Sequence, residues 1–300
     1  MILPHGKLVK VNGRNIHVRQ MGSGEKTIVL LPGYGVPLPS VEFAPLMRAL
    51  AKKYTVCTVE LAGYGHSEGT NTPRTNENYA EETRKALALA GLKPPYVLMP
   101  YSASGIYSEY YAAKYPDEVE ALILFDSTPT VEAFAKLLAF TQEDAAQMKA
   151  EYESFVMPTG AEYEEEVQAA IAEYIPHGYT EDEVFETGTF PNHTDTLIAQ
   201  ALTLSECAVE AMSMPFPKEI PVLAFSSDIY AALEEMDDAD ISEEEAQQEI
   251  DRHEQYRKDH MARLGEHAKL VTVKGSTHSD IYYHRDYREL ICREIDKFLG

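Results

Sequence analysis

Four short apolar runs, separated by segments with helical spacing, constrain the fold of this chain more than any other feature. They span residues 27–31, 54–59, 96–99 and 121–125. A strand that carries apolar residues at consecutive positions is buried on both faces, which is typical of a parallel sheet covered by helices. The alternation of these runs with helical segments predicts βαβ units, and therefore an α/β fold with a mostly parallel central sheet flanked by helices.

The sheet pattern is interrupted once along the chain. After Pro129 the sequence shows helical periodicity and no run typical of a strand, until apolar runs return at residues 220–228 and 269–273. An interruption of this kind predicts an insertion rather than more sheet. We therefore predict a helical cap at residues 130–217, inserted into a core formed by residues 1–129 and 218–300.

Ser102 lies at the corner between a predicted strand and a predicted helix. A tight turn there would expose the hydroxyl, and the N-terminal end of the helix would direct backbone N–H groups toward an anion formed beside it. Such a turn requires small residues two positions before and after the serine. Here those positions hold Pro100 and Ser104, followed by Gly105. Because Ile106 stands where Ser104 would itself need a small residue, the pattern favours Ser102 as the nucleophile.

Other chemically active groups also follow predicted strands, at the edge where parallel sheets bind ligands. Asp126 and Asp228 each end an apolar run, and His278 follows the last one. A serine hydroxyl needs an imidazole to accept its proton, and the imidazole needs a carboxylate to fix its tautomer. The glycine-flanked Tyr34, also after a strand, predicts an oxyanion hole formed by its backbone N–H and that of Ala103.

Taken together, these motifs resemble the α/β-hydrolase fold family over essentially the whole chain. The shared stretches are the Asn-Gly hairpin at 12–13 and residues 31–35, 63–67, 100–105, 115–119 and 275–278. The resemblance implies that Ser102 is the nucleophile, His278 its general base and Asp228 the acid, with Asp126 as the alternative acid that some members use. Serine at residue 102 separates the chain from relatives of this fold that attack with aspartate.

The resemblance implies a serine hydrolase that acts on a small neutral or apolar carboxylic ester through an acyl-enzyme on Ser102. Two alternatives stay open at this point. The same site could cleave an amide, a peptide or a carbon–carbon bond, which matched substrates would distinguish. The chain could instead be a receptor of the same fold that binds a ligand without turnover, and Pro100 and the short run before Asp228 favour that alternative.

Composition limits the partners that we expect. A net charge of -23 repels phosphate backbones and acidic lipid surfaces, so we expect a small-molecule substrate and no nucleic acid. The three cysteines, Cys57, Cys207 and Cys292, are far apart and match no metal-ligand spacing, so we expect reduced thiols and a cytoplasmic location. No apolar run is long enough to span a membrane, and the first residues lack a signal-peptide core. A signal or anchor upstream of this sequence is left open.

We expect no cofactor and no metal. One acidic stretch, with Asp238, Asp240, Ser242 and Glu249, has spacing similar to a calcium-binding loop. Its sixth position is Glu243, where the sharp turn of such a loop requires glycine. The stretch instead predicts a helix capped by Ser242, with the capping box completed three residues later.

Overall fold

A single sheet of eight strands forms the centre of the molecule in the computed structural model, which describes residues 5–154, 160–189, 193–235 and 242–300. The strands are β1 (Lys7–Val11), β2 (Arg14–Met21), β3 (Thr27–Leu31), β4 (Thr55–Glu60), β5 (Tyr96–Pro100), β6 (Val119–Phe125), β7 (Val222–Ser226) and β8 (Lys269–Thr272). Their spatial order is β1-β2-β4-β3-β5-β6-β7-β8. The pairs β1/β2 and β2/β4 are antiparallel and all the others are parallel, so the predicted mostly parallel sheet is confirmed.

The first two strands are joined by the hairpin predicted from an Asn-Gly pair. Asn12 and Gly13 have φ angles of 48° and 88°. A two-residue turn with positive φ at both positions matches the twist of the flanking strands, and asparagine followed by glycine tolerates it best. The hairpin adds two antiparallel strands to the edge of the sheet, away from the strands that carry the candidate site.

Twelve α-helices surround the sheet in the described part of the chain. They are α1 (Pro39–Glu42), α2 (Ala44–Leu50), α3 (Asn76–Leu89), α4 (Ser104–Lys114), α5 (Glu132–Leu137), α6 (Gln142–Ser154), α7 (Ala161–Tyr174), α8 (Glu181–Thr189), α9 (Thr194–Ser213), α10 (Ile229–Glu235), α11 (Glu243–Leu264) and α12 (Arg285–Leu299). None of them contains a stretch that is both long and apolar enough to cross a bilayer.

The segment between β6 and β7 contains helices α5 to α9, and its described residues form no strand. This agrees with the helical periodicity of the sequence. The limits 130 and 217, and the role of these helices as a cap, stay a prediction.

Helices cover both faces of the sheet, which explains the uninterrupted apolar runs. Along β3, Val29 and Leu31 belong to a core cluster shared with α3 and α4, whereas Ile28 and Leu30 belong to a second cluster shared with α2 and α12. All four side chains are at most 5% exposed. Because helices occupy both faces, the edge formed by the carboxyl ends of the parallel strands is the natural place for a ligand.

The capping box predicted at the start of α11 is confirmed. The Ser242 side chain accepts a hydrogen bond from the backbone N–H of Glu245, and the Glu245 side chain accepts from the backbone N–H of Ser242. Asp238 and Asp240, which belong to the acidic stretch with spacing similar to a calcium-binding loop, lie outside the described residues. Within the described ranges, no group of three or more histidine, cysteine, aspartate or glutamate side chains could hold a metal ion.

A buried carboxylate, Glu109 of α4, forms hydrogen bonds and an ion pair with α11. The Glu109 side chain is 1% exposed. His260 Nε2 donates to Glu109 Oε1 at 2.7 Å, Arg263 forms an ion pair with Oε2, and the Thr130 hydroxyl donates to Oε2 at 2.6 Å. Burial lowers the pKa of His260 to about 4, so the imidazole is neutral at neutral pH and Arg263 is the cation that pairs with Glu109. This network fixes the position of α11 beside the candidate site.

Candidate active site

Ser102 lies on a strained turn between β5 and α4. Its φ angle is 53°, in the left-handed region that residues other than glycine rarely adopt. The Ser102 backbone N–H donates to the carbonyl of Phe125 at 3.3 Å, which holds the turn against the end of β6. The Ser102 side chain is thereby lifted out of the strand, and strained backbone of this kind clusters at functional sites.

Packing around the turn explains the two unusual residues beside Ser102. The buried Ser104 hydroxyl donates to the carbonyl of Pro32, so it fits where glycine is usual and is not free to act as a nucleophile. Pro100 ends β5, and its carbonyl accepts a hydrogen bond from the Ser127 hydroxyl at 2.8 Å. A Cβ atom on Gly105 would lie 2.6 Å from Ser127 Cβ, so glycine is required at that position.

His278 connects Ser102 to a carboxylate. The distance from His278 Nε2 to Ser102 Oγ is 3.1 Å, and that from His278 Nδ1 to Asp126 Oδ2 is 2.6 Å. Since an ionised carboxylate can only accept, the proton lies on Nδ1, and Nε2 is left to accept the Ser102 hydroxyl proton. Hydroxyl, imidazole and carboxylate thus form one continuous chain of hydrogen bonds.

Asp126 follows β6 directly and also has a left-handed φ, 42°. Its second oxygen, Oδ1, accepts from the Ser227 backbone N–H at 2.7 Å, so both carboxylate oxygens have donors. Burial alone would raise the pKa of Asp126, but the hydrogen bond and charge of His278, together with the Ser227 donors, lower it below its ordinary value. The carboxylate is therefore ionised at neutral pH and able to stabilise an imidazolium.

The preference for Asp228 as the partner of His278 is corrected by these contacts. Asp228 Oδ2 accepts from the Gly275 backbone N–H at 3.1 Å, and Oδ1 lies 3.5 Å from Lys274 Nζ. The carboxylate therefore holds the loop that leads to His278 and does not touch the imidazole. The sequence contained one indication of this, because the apolar run before Asp228 is shorter than is usual in this family. In the structure β7 ends at Ser226, two residues before Asp228.

The sequence predicts that the backbone N–H groups of Tyr34 and Ala103 form an oxyanion hole for Ser102, and this stays a prediction. Within the described residues, the N–H groups of Tyr34 and Ala103 have no hydrogen-bond acceptor. Gly33 allows the first loop to approach, because a Cβ atom there would lie 2.7 Å from Ser102 Cβ. Backbone donors without an acceptor near a nucleophile are suited to an anionic oxygen.

Tyr101 is a site residue that the sequence analysis did not identify. Its hydroxyl donates to the backbone carbonyl of His278 at 2.6 Å, and its ring stacks on the imidazole with centroids 4.9 Å apart and planes 14° apart. Burial raises the pKa of the Tyr101 hydroxyl, which keeps it protonated as a donor. No sequence pattern marks this contact, because Tyr101 and His278 are 177 residues apart.

We expect Tyr101→Phe to lower kcat about three- to tenfold, since the loss of one buried hydrogen bond leaves the His278 loop less well positioned. Tyr96→Phe is the matched control, because Tyr96 begins β5, the strand that Tyr101 directly follows, and donates to Leu92 O at 3.2 Å, away from the imidazole. Steady-state ester hydrolysis by both variants, beside their urea unfolding, checks the prediction. Equal kcat values in the two variants would contradict a positioning role for Tyr101.

A cavity of about 350 Å³ opens beside Ser102 and His278. Its walls are largely apolar and include Phe134 of the predicted cap. Helix α11 also lines the cavity, with His253 and Arg257 among its contributions, and the His253 ring meets that of Phe134 edge to face with centroids 6.5 Å apart. The sequence analysis predicted α11 as a charged helical segment and gave it no part in the site.

Comparisons with known proteins agree with this fold. The model of the α/β hydrolase fold family matches residues 26–173. The uncharacterized protein YbdG of Bacillus subtilis is 31% identical over 224 residues, which make up 73% of this chain and 67% of that protein. The human serine hydrolase BPHL is 31% identical over 126 residues, or 41% of this chain and 43% of that protein, so the match spans less than half of either.

Among solved structures, Cfl2 from Burkholderia cenocepacia superposes with a TM-score of 0.67, covering 98% of this chain and 95% of that one. The two sequences are 18% identical, so this likeness concerns the fold alone. Together with the family match and the relative from Bacillus subtilis, it shows that this chain belongs to the α/β-hydrolase fold family.

Proposed function

We propose that this protein is a serine hydrolase that cleaves carboxylic esters through an acyl-enzyme on Ser102. The observation that carries the proposal is the continuous chain of hydrogen bonds from Ser102 Oγ through His278 to Asp126. Activation of a weak hydroxyl nucleophile needs this arrangement of base and carboxylate.

In the first half of the reaction, Ser102 Oγ attacks the ester carbonyl carbon while His278 Nε2 takes the hydroxyl proton. The carbonyl oxygen becomes an anion and accepts from the backbone N–H groups of Tyr34 and Ala103. Asp126 stabilises the imidazolium. The bond between the carbonyl carbon and the alcohol oxygen then breaks, and His278 gives its proton to the leaving alcohol.

In the second half, water repeats these steps on the acyl-enzyme. His278 takes a proton from water as the water oxygen attacks the acyl carbon, and the same N–H groups hold the anion. The bond to Ser102 Oγ breaks, His278 returns the proton to the serine, and the carboxylic acid leaves. No group beyond the chain's own residues and water is needed in this scheme.

The proposal predicts that a fluorophosphonate probe labels Ser102 alone. Ser102 Oγ forms a bond to phosphorus and fluoride leaves, so intact mass followed by peptide mapping identifies the site without knowledge of the substrate. We expect complete labelling of the folded protein, none in Ser102→Ala, and labelling at least about 10³-fold slower in His278→Ala.

A folded protein that takes up no probe, or takes it up at another residue, would overturn the proposal and favour a binding role. Where Ser102 is labelled, turnover of matched aryl ester, anilide and diketone substrates separates ester hydrolysis from amide and carbon–carbon cleavage. We expect the ester to be the fastest of the three.

A further inference from the structure

We propose that Arg257 forms a carboxylate-binding subsite beside Ser102, so that the ester this protein hydrolyses carries a free carboxylate. The inference rests on the proposed function and adds to it the class of substrate. It changes the expectation of a small neutral or apolar ester.

The first support is the position of the guanidinium. Helix α11 places Arg257 in the wall of the cavity that also contains Ser102 and His278. Arg257 Nη2 donates to the backbone carbonyl of Ser227 at 2.9 Å, which holds the side chain against the end of β7. The same residue, Ser227, donates its N–H to Asp126, so the guanidinium and the candidate acid share one anchoring loop.

The second support is that the charge of Arg257 has no carboxylate partner among the described residues. The buried Arg74 and the partly buried Arg263 both have carboxylate partners: Arg74 lies 3.2 Å from Glu82, and Arg263 forms an ion pair with Glu109. Across the described ranges, no carboxylate oxygen lies within 4.0 Å of the Arg257 guanidinium, and Ser227 O is its one hydrogen-bond acceptor. An arginine has five N–H donors in a planar fork that matches a carboxylate.

The third support is the rest of the cavity. Its ionisable lining residues are Asp126, Arg257 and three histidines, and the Asp126 carboxylate is already occupied by His278 and Ser227. Burial lowers the pKa of Arg257, an effect that the charges of Asp126 and Asp228 oppose. A partly desolvated cation that pairs with no acid in the described part of the chain favours an anionic ligand, because a charge-assisted hydrogen bond is stronger there than in water.

The net charge of -23 does not argue against this substrate. Charges on the outer surface are screened over about 8–10 Å at physiological ionic strength, so their effect inside the cavity is small. The local cation therefore decides which group binds beside Ser102. A cavity of about 350 Å³ is near the lower limit for small-molecule sites, so a short chain between carboxylate and ester fits best.

The test compares matched esters that differ only by the charged group. One pair is the mono-4-nitrophenyl ester of glutaric acid against 4-nitrophenyl pentanoate; a second pair carries the carboxylate on the alcohol. We expect kcat/KM to be at least about tenfold higher for the acid in one of the pairs. Arg257→Gln should lower kcat/KM for that acid about 10- to 100-fold, mainly through KM, and should change the neutral ester less than about threefold.

Arg257→Lys should retain part of the preference, since it keeps the charge and loses the fork. The matched control is Arg252→Gln, because Arg252 lies on the same helix, pairs with Glu249 on the exposed face and does not line the cavity. It should leave both esters unchanged. Equal losses for the acid and the neutral ester in Arg257→Gln, or no preference in the unchanged protein, would overturn the subsite.

Fluorophosphonate labelling separates this failure from failure of the proposed function. If Ser102 is labelled at the same rate in Arg257→Gln and in the unchanged protein, the hydrolase is intact and only the subsite is in question. If the unchanged protein is not labelled, the proposed function fails, and calorimetric titration with glutarate tests the subsite alone. Glutarate that binds equally well to the unchanged protein and Arg257→Gln would then overturn the subsite too.

Discussion

Asp126→Asn is expected to lower kcat about 10³- to 10⁴-fold, whereas Asp228→Asn is expected to remain within about threefold of the unchanged protein. The difference follows from the contacts of the two carboxylates. Asp126 Oδ2 lies 2.6 Å from His278 Nδ1, and the carboxylate of Asp228 is directed to Gly275 and Lys274. The pair forms a matched test, because both residues follow neighbouring strands and both are largely buried.

Asparagine at position 126 would remove the negative charge that stabilises the imidazolium of His278. It could also present an amide NH₂ to Nδ1, which would favour the tautomer with its proton on Nε2, where Ser102 needs an acceptor. Asparagine at position 228 would still accept from the Gly275 N–H through its carbonyl oxygen. The lost ion pair involves Lys274, whose side chain is 74% exposed, so little stability is lost.

Steady-state hydrolysis of an activated ester by the two variants checks the prediction, with circular dichroism and urea unfolding to show that both are folded. Fluorophosphonate labelling of Ser102 should slow in parallel with kcat in Asp126→Asn. The opposite ranking, with Asp228→Asn inactive and Asp126→Asn active, would restore the acid that the sequence favoured. Inactivity of both folded variants would instead show that the Asp228 loop contact is as important as the hydrogen bond to the imidazole.

Much of the fold follows from local pattern. The apolar runs and the Asn-Gly pair predict the strands and the hairpin because burial on both faces and positive φ each restrict the residues allowed. The same is true of Ser102, since a strained strand-to-helix turn requires small neighbours. The sequence also predicts that Asp126, Asp228 and His278 lie at strand ends. It does not distinguish the two aspartates, because each of them follows an apolar run.

The choice between the two acids depends on the direction of each side chain. A difference of one or two residues in strand length is enough to change that direction. Strand β7 ends at Ser226, and the backbone N–H of the next residue, Ser227, donates to the Asp126 carboxylate. The Asp228 carboxylate, one residue further, accepts from the Gly275 N–H and lies away from His278. The roles of Tyr101 and Arg257 were missed for a related reason. Both depend on contacts between segments distant in the chain. Tyr101 lies within the stretch 100–105, but nothing in that stretch marks its contact with His278, and Arg257 belongs to no motif.

We expect Glu109→Gln to lower the free energy of unfolding by about 3–5 kcal/mol, because it leaves the charge of Arg263 without its partner beside a buried amide. The Glu109 side chain is 1% exposed and that of Arg263 is 21% exposed, so water compensates little. Glutamine has nearly the same volume but only one acceptor oxygen. That oxygen can accept a hydrogen bond from His260 or from Thr130, but it cannot replace the carboxylate for all the donors around it. Urea unfolding followed by circular dichroism measures the change.

Glu132→Gln is the matched control, because it also breaks a glutamate–cation pair, with Lys136, but both side chains are more than 70% exposed. Its unfolding midpoint should not move measurably. The same midpoint in both variants would show that the buried network adds nothing to stability. Because Glu109 holds α11 against α4, and α11 carries Arg257, its loss should also reduce hydrolysis of the charged ester more than that of its neutral match.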